Sequence, residues 1–361
     1  MRALYEKVSN KLDAVNFEDL WPGFKRYSFA LYTGERIYLE KEDLPWDERF
    51  IGNTAILYEG SFMAIWRVEG DGVEESSIDV DKLVADMVHE MFHAFQLEQG
   101  ESRYPNDLVA LDYPNNIRNY GLKYAENLLL IQAYKEKKSR ERGLLMSQFY
   151  SIRSERECII GNIIEYEYTL ETGEGMAEYV GMMALKQLSE VKYRVRLDTY
   201  INSLKTYNVL QLNIRRMSYY SGTLFLVVAH ELGLPFYHSI KNEKRTLFEI
   251  LRDALPALQY EEVSCDKRMI EGFIKEDREK KREIIKSFLE KGNTYQLGDY
   301  QIIGYDPMNM FKVDDKIYCK TFIRLATMNR HEEEALTWMG ETVLEAKEGE
   351  VNKIKGFYRP I

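Results

Sequence analysis

Asp86-Met87-Val88-His89-Glu90-Met91-Phe92-His93-Ala94-Phe95-Gln96 is the stretch on which the reading of this chain turns. On an α-helix, residues four apart share a face, so His89 and His93 can present their imidazoles to one metal ion. Glu90 lies one residue round from His89. That sets its carboxylate beside the ion rather than on it, where it could take a proton from an attacking water. Met91, Phe92, Ala94 and Phe95 are uncharged, as a buried active-site helix requires. Histidine is scarce, five in the chain, and two of the five fall here. The plainer alternative is a pair of core histidines on an amphipathic helix.

Working outward, Leu83, Val84, Met87, Val88, Met91, Phe92 and Phe95 recur at three- and four-residue spacing. This predicts a helix from a cap at Asp79 to a stop at Gly100. Upstream, residues 27–32, 36–39, 55–58 and 62–68 are rich in aromatic and β-branched residues and read as strands, with Glu59-Gly60 turning the last two into a hairpin. The strand at 62–68, just before the helix, is expected to be an edge of its sheet. The pattern stays helical from Asp79 to about Lys291, and strand character returns at 300–304, 316–325 and 353–358. The expected fold class is therefore α+β. A β-rich N-terminal subdomain with a mixed sheet (1–78) precedes a helical catalytic body (79–295) and a small mixed α/β C-terminal region (296–361). The charged stretch 274–291 reads as a solvated helix with i,i+4 charge pairs and one narrow apolar stripe, in preference to a partner-binding helix.

Composition narrows the classes. Of 361 residues, 45% are hydrophobic and 30% charged, the balance of a soluble globular protein with a sizeable core. A net charge of -10 argues against a nucleic-acid partner, which calls for concentrated Lys and Arg. No run of 18 apolar residues predicts a membrane span, and the charged N-terminal stretch lacks the apolar segment of a signal peptide, so a cytoplasmic location is expected. Cys158, Cys265 and Cys319 are far apart, form no CxxC pair and read as reduced thiols.

A catalytic zinc takes three protein ligands, so a third must come from elsewhere. His230, His238 and His331 remain, with many carboxylates. His230-Glu231 follows LFLVVA and lacks a second histidine, which suggests an ordinary helix end. The segment TLETGEGMAEYVGMMAL, residues 169–185, places Glu171, Glu174 and Glu178 on one face of a largely buried helix. Carboxylates entering a buried helix need partners, and a metal is one. Alternatively, Glu171 and Glu174 occupy a helix N-terminus, where negative charge is favoured.

HEMFH followed by EGMAEY resembles the gluzincin metallopeptidases, whose second motif, E-G-x-x-x-Y, lies on a helix packed against the HExxH helix. The resemblance implies a zincin-like fold and a Zn2+ ion held by His89, His93 and Glu174. It also implies that Glu178 is the carboxylate hydrogen-bonded to His89, and it puts Tyr179 at the motif's aromatic. SYYSGTLFL, residues 218–226, resembles the Y-x-K-G segment found in part of the clan, with Ser221 where Lys is usual. That places Tyr219 as hydrogen-bond donor to the tetrahedral oxyanion. The resemblance spans roughly residues 55–230, but its specific content is these three short segments. The insert at 101–170 reads as additional helices.

The implied activity is zinc-dependent hydrolysis of peptide bonds in a peptide or protein substrate, with Glu90 as general base. The aminopeptidase branch carries G-x-M-E-N before its zinc helix, whereas GSFMAIW, residues 60–66, has no Glu to hold a free amine. An aminopeptidase with an atypical amine anchor is the alternative within enzymes. A non-catalytic, zinc-stabilised binding or regulatory protein is the alternative outside them. Glu90 favours the enzyme, since a structural site needs ligands but no general base.

Overall fold

The computed structural model describes residues 1–68, 77–237, 240–241, 243–327 and 335–360. Two helices precede the first strand, α1 (Arg2–Leu12) and α2 (Phe17–Leu20), within a region expected to be mostly strand. Five strands follow: β1 (Ser28–Tyr32), β2 (Arg36–Tyr38), β3 (Asp43–Pro45), β4 (Thr54–Tyr58) and β5 (Ser61–Arg67). They form one sheet in the order β3-β2-β1-β5-β4. The sheet is mixed, because β1 runs parallel to β5 while the other pairings are antiparallel. Glu59 (φ 49°) and Gly60 (φ 81°) make the tight turn between β4 and β5, both in the left-handed region that such a turn demands.

The pairing corrects one expectation. β5 bonds to β1 on one side and to β4 on the other, so it is internal, and β4 is the edge strand beside it. The β4–β5 hairpin is local and readable. The β1–β5 pairing joins residues far apart in the chain, and no local pattern announces it.

α3 (Val80–Glu98) carries the two histidines. The Asp79 carboxylate caps it by accepting from the Asp81 and Lys82 amides, an arrangement typically worth about 1 kcal/mol. Gly100 (φ 76°) lies just past its end. α3 packs across the sheet, and α1 packs on it through Leu4, Tyr5, Val8 and Leu12. The helical body continues with α4 (Ile117–Lys135), α5 (Ser139–Ile160), α6 (Glu165–Leu188), α7 (Glu190–Lys205), α8 (Ile214–Glu231), α9 (Leu247–Arg252) and α10 (Lys267–Glu290). α10 buries only Ile270, Ile285 and Phe288 and pairs Asp277 with Lys281, as a solvated helix should.

Seven strands close the chain: β6 (Asn293–Tyr305), β7 (Met310–Val313), β8 (Lys316–Cys319), β9 (Phe322–Thr327), β10 (Leu336–Met339), β11 (Thr342–Lys347) and β12 (Glu350–Pro360). They pair in the order β10-β9-β6-β12-β11-β8-β7, antiparallel throughout. The C-terminal region, expected to be mixed α/β, is thus an antiparallel sheet whose described residues include only a short 3-10 turn at Pro307–Asn309. Leu108 and Leu111 of the 3-10 helix Asp107–Asp112 pack into one of its apolar clusters, and Ile285 and Phe288 of α10 into another. Among the described residues no helix is long and apolar enough to cross a membrane, and the three cysteines are free.

Glycines let α6 approach both of its neighbours. A Cβ on Gly181 would lie 2.7 Å from the Ala85 carbonyl oxygen of α3, and one on Gly222 of α8 would lie 3.0 Å from the Gly175 Cα. A side chain at Gly181 would collide with backbone, and one at Gly222 would crowd it. The close approach carries the acidic face of α6 to the histidines of α3 and to Tyr219 of α8.

Candidate metal centre

His89 and Glu90 sit at the floor of a cleft of about 1160 Å³, each only 7% exposed. One ligand atom from each of His89, Glu90 and His93 lies within 4.8 Å of the others, a grouping that could hold a metal ion. Glu174 of α6 approaches more closely still. Its Oε2 lies 3.2 Å from His93 Nε2 and 3.5 Å from His89 Nε2, and the two Nε2 atoms are 3.1 Å apart. Three donor atoms held to a zinc at about 2.0–2.1 Å in tetrahedral geometry would be separated by about 3.3 Å. The observed triangle has that size, so Glu174 could also donate to an ion held by the two histidines.

The far side of each ring fixes its tautomer, as assigned from the hydrogen-bond network. His89 Nδ1 faces Glu178 Oε2 at 2.9 Å, and a carboxylate can only accept. His93 Nδ1 faces Gln96 Oε1 at 2.8 Å, while Gln96 Nε2 donates to the Gly173 carbonyl at 3.1 Å, which orients the amide. Both Nδ1 atoms therefore carry protons, and both Nε2 lone pairs point at each other and at a carboxylate oxygen. That convergence is repulsive unless a cation lies among them.

The electrostatics agree. Burial opposes a charge on His89, yet its bonds to Glu174 and Glu178 outweigh burial and hold its pKa well above the ordinary value. Burial also opposes a charge on His93, but the charge and hydrogen bond of Glu174 outweigh it and raise its pKa. Burial likewise works against the charged form of Glu174, but His93, His89 and Arg215 hold its carboxyl well below the usual range. Burial pushes the Glu90 pKa up, which the two histidines only partly offset. The pocket favours positive charge at the imidazoles, whether a proton or a metal supplies it.

The remaining predicted residues are placed as follows. Glu178 accepts from His89 and also from Arg196 Nη2 at 2.8 Å and from the Tyr200 hydroxyl. The Tyr219 ring lies parallel to the His89 ring, 6.1 Å away, and faces the same cleft. Tyr220 instead stacks on Tyr200 at 4.4 Å. Glu171, which shares the acidic face, is not in the cluster: it receives Arg153 Nη1 and the Ser221 hydroxyl, both at 2.6 Å. Tyr179 is buried, its hydroxyl 3.3 Å from that of Tyr237. His230 ends α8 and bonds to Tyr237, while His238 and His331 lie outside the described residues.

Sequence reading missed three residues that shape the site. Arg215 of α8 donates to Glu174 Oε1 at 2.7 Å, to the Tyr219 oxygen at 3.2 Å and to Asp107. Arg196 of α7 spans Glu178 and Asp86, the latter at 2.7 Å. Gln96 carried a usable signal, because it lies one helical turn after His93 inside the opening motif. The arginines carried none, since each meets its partner only through tertiary packing. No protein-family model matches the chain, nor does any curated protein or solved structure.

Proposed function

We propose that this protein hydrolyses peptide bonds at a zinc ion held by His89, His93 and Glu174, with Glu90 as general base. One observation carries the reading: two imidazole lone pairs and one carboxylate oxygen converge at 3.1–3.5 Å while both opposite ring nitrogens are committed as donors. Two nitrogens and one oxygen are a donor set suited to zinc, and three protein ligands leave a position open for chemistry.

When bound, zinc supplies a Lewis acid that polarises a carbonyl and makes water acidic. Glu90 accepts the proton of the attacking water at its carboxylate and passes it to the departing amine, so that one water and one amide become an acid and an amine. Glu178 receives the Nδ1 proton of His89 and fixes that ring's orientation. An arginine can only donate, so the Arg215 contact uses the Tyr219 oxygen as acceptor, and the phenolic proton is turned towards the Glu174 carboxylate, from which it would have to move to reach a substrate oxygen. Tyr219 is the proposed donor to the oxyanion. Asn53 and Thr54, at the start of the edge strand β4, line the same cleft and put backbone pairing within reach of an extended substrate.

The test is metal analysis joined to cleavage. Zinc-saturated protein should hold about one zinc per chain, lost in His89→Ala and His93→Ala. Glu90→Gln should keep the zinc and the fold but lose nearly all cleavage of a broad peptide library. Protein that binds no zinc, or a Glu90→Gln variant as active as wild type, overturns the reading.

A further inference from the structure

The candidate metal centre fills only the floor of its cleft. At about 1160 Å³ the cleft exceeds the roughly 300–1,000 Å³ of ordinary small-molecule pockets. Its upper walls come from two separate β modules. Trp46 lies in the loop after β3 of the N-terminal sheet, Met308 in the 3-10 turn between β6 and β7, and Met339 at the end of β10 in the C-terminal sheet. These three are among the large apolar side chains left well exposed, at 36%, 37% and 54%. Apolar surface collected on the walls of one concave site marks a place where something apolar docks.

The walls are braced. Trp46 Nε1 donates to the Phe50 carbonyl at 3.1 Å, which fixes the indole in its loop. On the other side, Asp306 accepts from the Met308 amide at 3.0 Å and from Asn309 Nδ2 and the Thr321 hydroxyl, both at 2.8 Å. The Gly340 amide donates to the Thr321 carbonyl, tying the end of β10 to the same hub. Two adaptable methionine side chains thus stand on ordered backbone, in the same cleft as a fixed indole.

Depth decides what kind of chain can enter. His89 and Glu90 are 7% exposed, below rims built by both sheets, so the surface of a folded protein cannot bring a peptide bond to them. A single extended strand can. We infer that the ligand of this cleft is an unfolded, extended stretch of polypeptide bearing a large apolar side chain, held between Trp46 and the Met308–Met339 wall. The C-terminal sheet is then the specificity wall of the site. This rests on the peptidase reading, since it supplies that reading's substrate class.

The experiment measures binding apart from turnover. Zinc-loaded full-length Glu90→Gln protein is titrated into fluorescein-labelled unstructured decapeptides with Leu, Phe, Ser or Asp at the centre, followed by anisotropy. The Leu and Phe peptides should bind at least about tenfold tighter than the Ser and Asp peptides, the factor expected from burying one large apolar side chain. Met339→Glu and Met308→Glu, both at exposed positions, should remove that preference and leave zinc content unchanged. Equal binding of all four peptides, no binding of any, or a preference that survives both substitutions overturns the inference. Failure of the peptidase reading looks different: the Leu and Phe peptides bind with the stated preference, yet wild-type protein cleaves none of them.

Discussion

Arg215 is the residue on which the site's geometry most depends without being able to ligate a metal. Its guanidinium holds the Glu174 oxygen that faces away from the histidines, and that fixes the rotation of the carboxylate whose other oxygen faces them. Removing it should leave Glu174 free to swing. Arg215→Met is therefore expected to weaken zinc binding by about 10–100-fold in chelator competition, the range for groups that orient a ligand. Unchanged affinity would show that packing alone positions Glu174. Tyr219, bonded to the same guanidinium nitrogen as Glu174, can be tested against its neighbour Tyr220. If the proposed mechanism holds, Tyr219→Phe should lower kcat by about 10²–10³ with KM nearly unchanged, because an oxyanion donor acts in the transition state. Tyr220→Phe should be close to wild type in rate, since Tyr220 stacks on Tyr200 and points away. A rate loss in Tyr220→Phe alone would assign the donor to the wrong tyrosine.

At the scale of elements, the site exists because α6 is squeezed between α3 and α8. The crossings are made by Gly181 against Ala85 and by Gly175 against Gly222. Gly181→Ala would bring a Cβ to 2.7 Å from a backbone carbonyl, which cannot rotate away, so the helices must separate. The expected result is a loss of about 1–3 kcal/mol in urea unfolding and weaker zinc binding, because Glu174 and Glu178 recede with the helix. Full retention of both would mean that the crossing tolerates a wider spacing than the backbone contact implies. Much of this level was legible in the sequence. The 3.6-residue spacing and the Asp79 cap gave α3 its limits, and the i, i+3, i+7 glutamates shared a face as periodicity requires. Pairing across distance was not legible. β5 resembled an edge strand because its partner β1 lies outside any local window. Glu171 resembled a ligand candidate because nothing near it in the chain announced Arg153.

Across the whole molecule, one buried charge cluster ties the helical body together. Glu126 of α4 and Glu167 and Glu171 of α6 face Lys123 of α4 and Arg153 and Arg156 of α5, each 2% exposed or less. Glu126 meets Arg153 at 2.7 Å and Arg156 at 2.6 Å, Glu167 meets Lys123 at 2.6 Å, and Ser221 links α8 through Glu171. Burial alone would raise the Glu126 and Glu167 pKa values, but the cations outweigh it, Arg153 and Arg156 at Glu126, Arg156 and Lys123 at Glu167, and both carboxyls lie below their ordinary range. The sign of the pH effect follows. A carboxyl whose pKa is lower in the folded state stabilises the fold above its unfolded pKa of about 4.3, and that contribution is lost as pH falls below it. Urea stability should therefore hold steady at neutral pH and decline steeply below about pH 4.3. Glu167→Gln leaves Lys123 and Arg156 buried with less compensation, and should cost about 3–5 kcal/mol at pH 7. The variant also lacks the carboxyl that titrates, so its stability should fall less steeply in acid. The gap between the two proteins should narrow as pH drops, and a gap that stays constant with pH would show that the charge of Glu167 is not what stabilises the body.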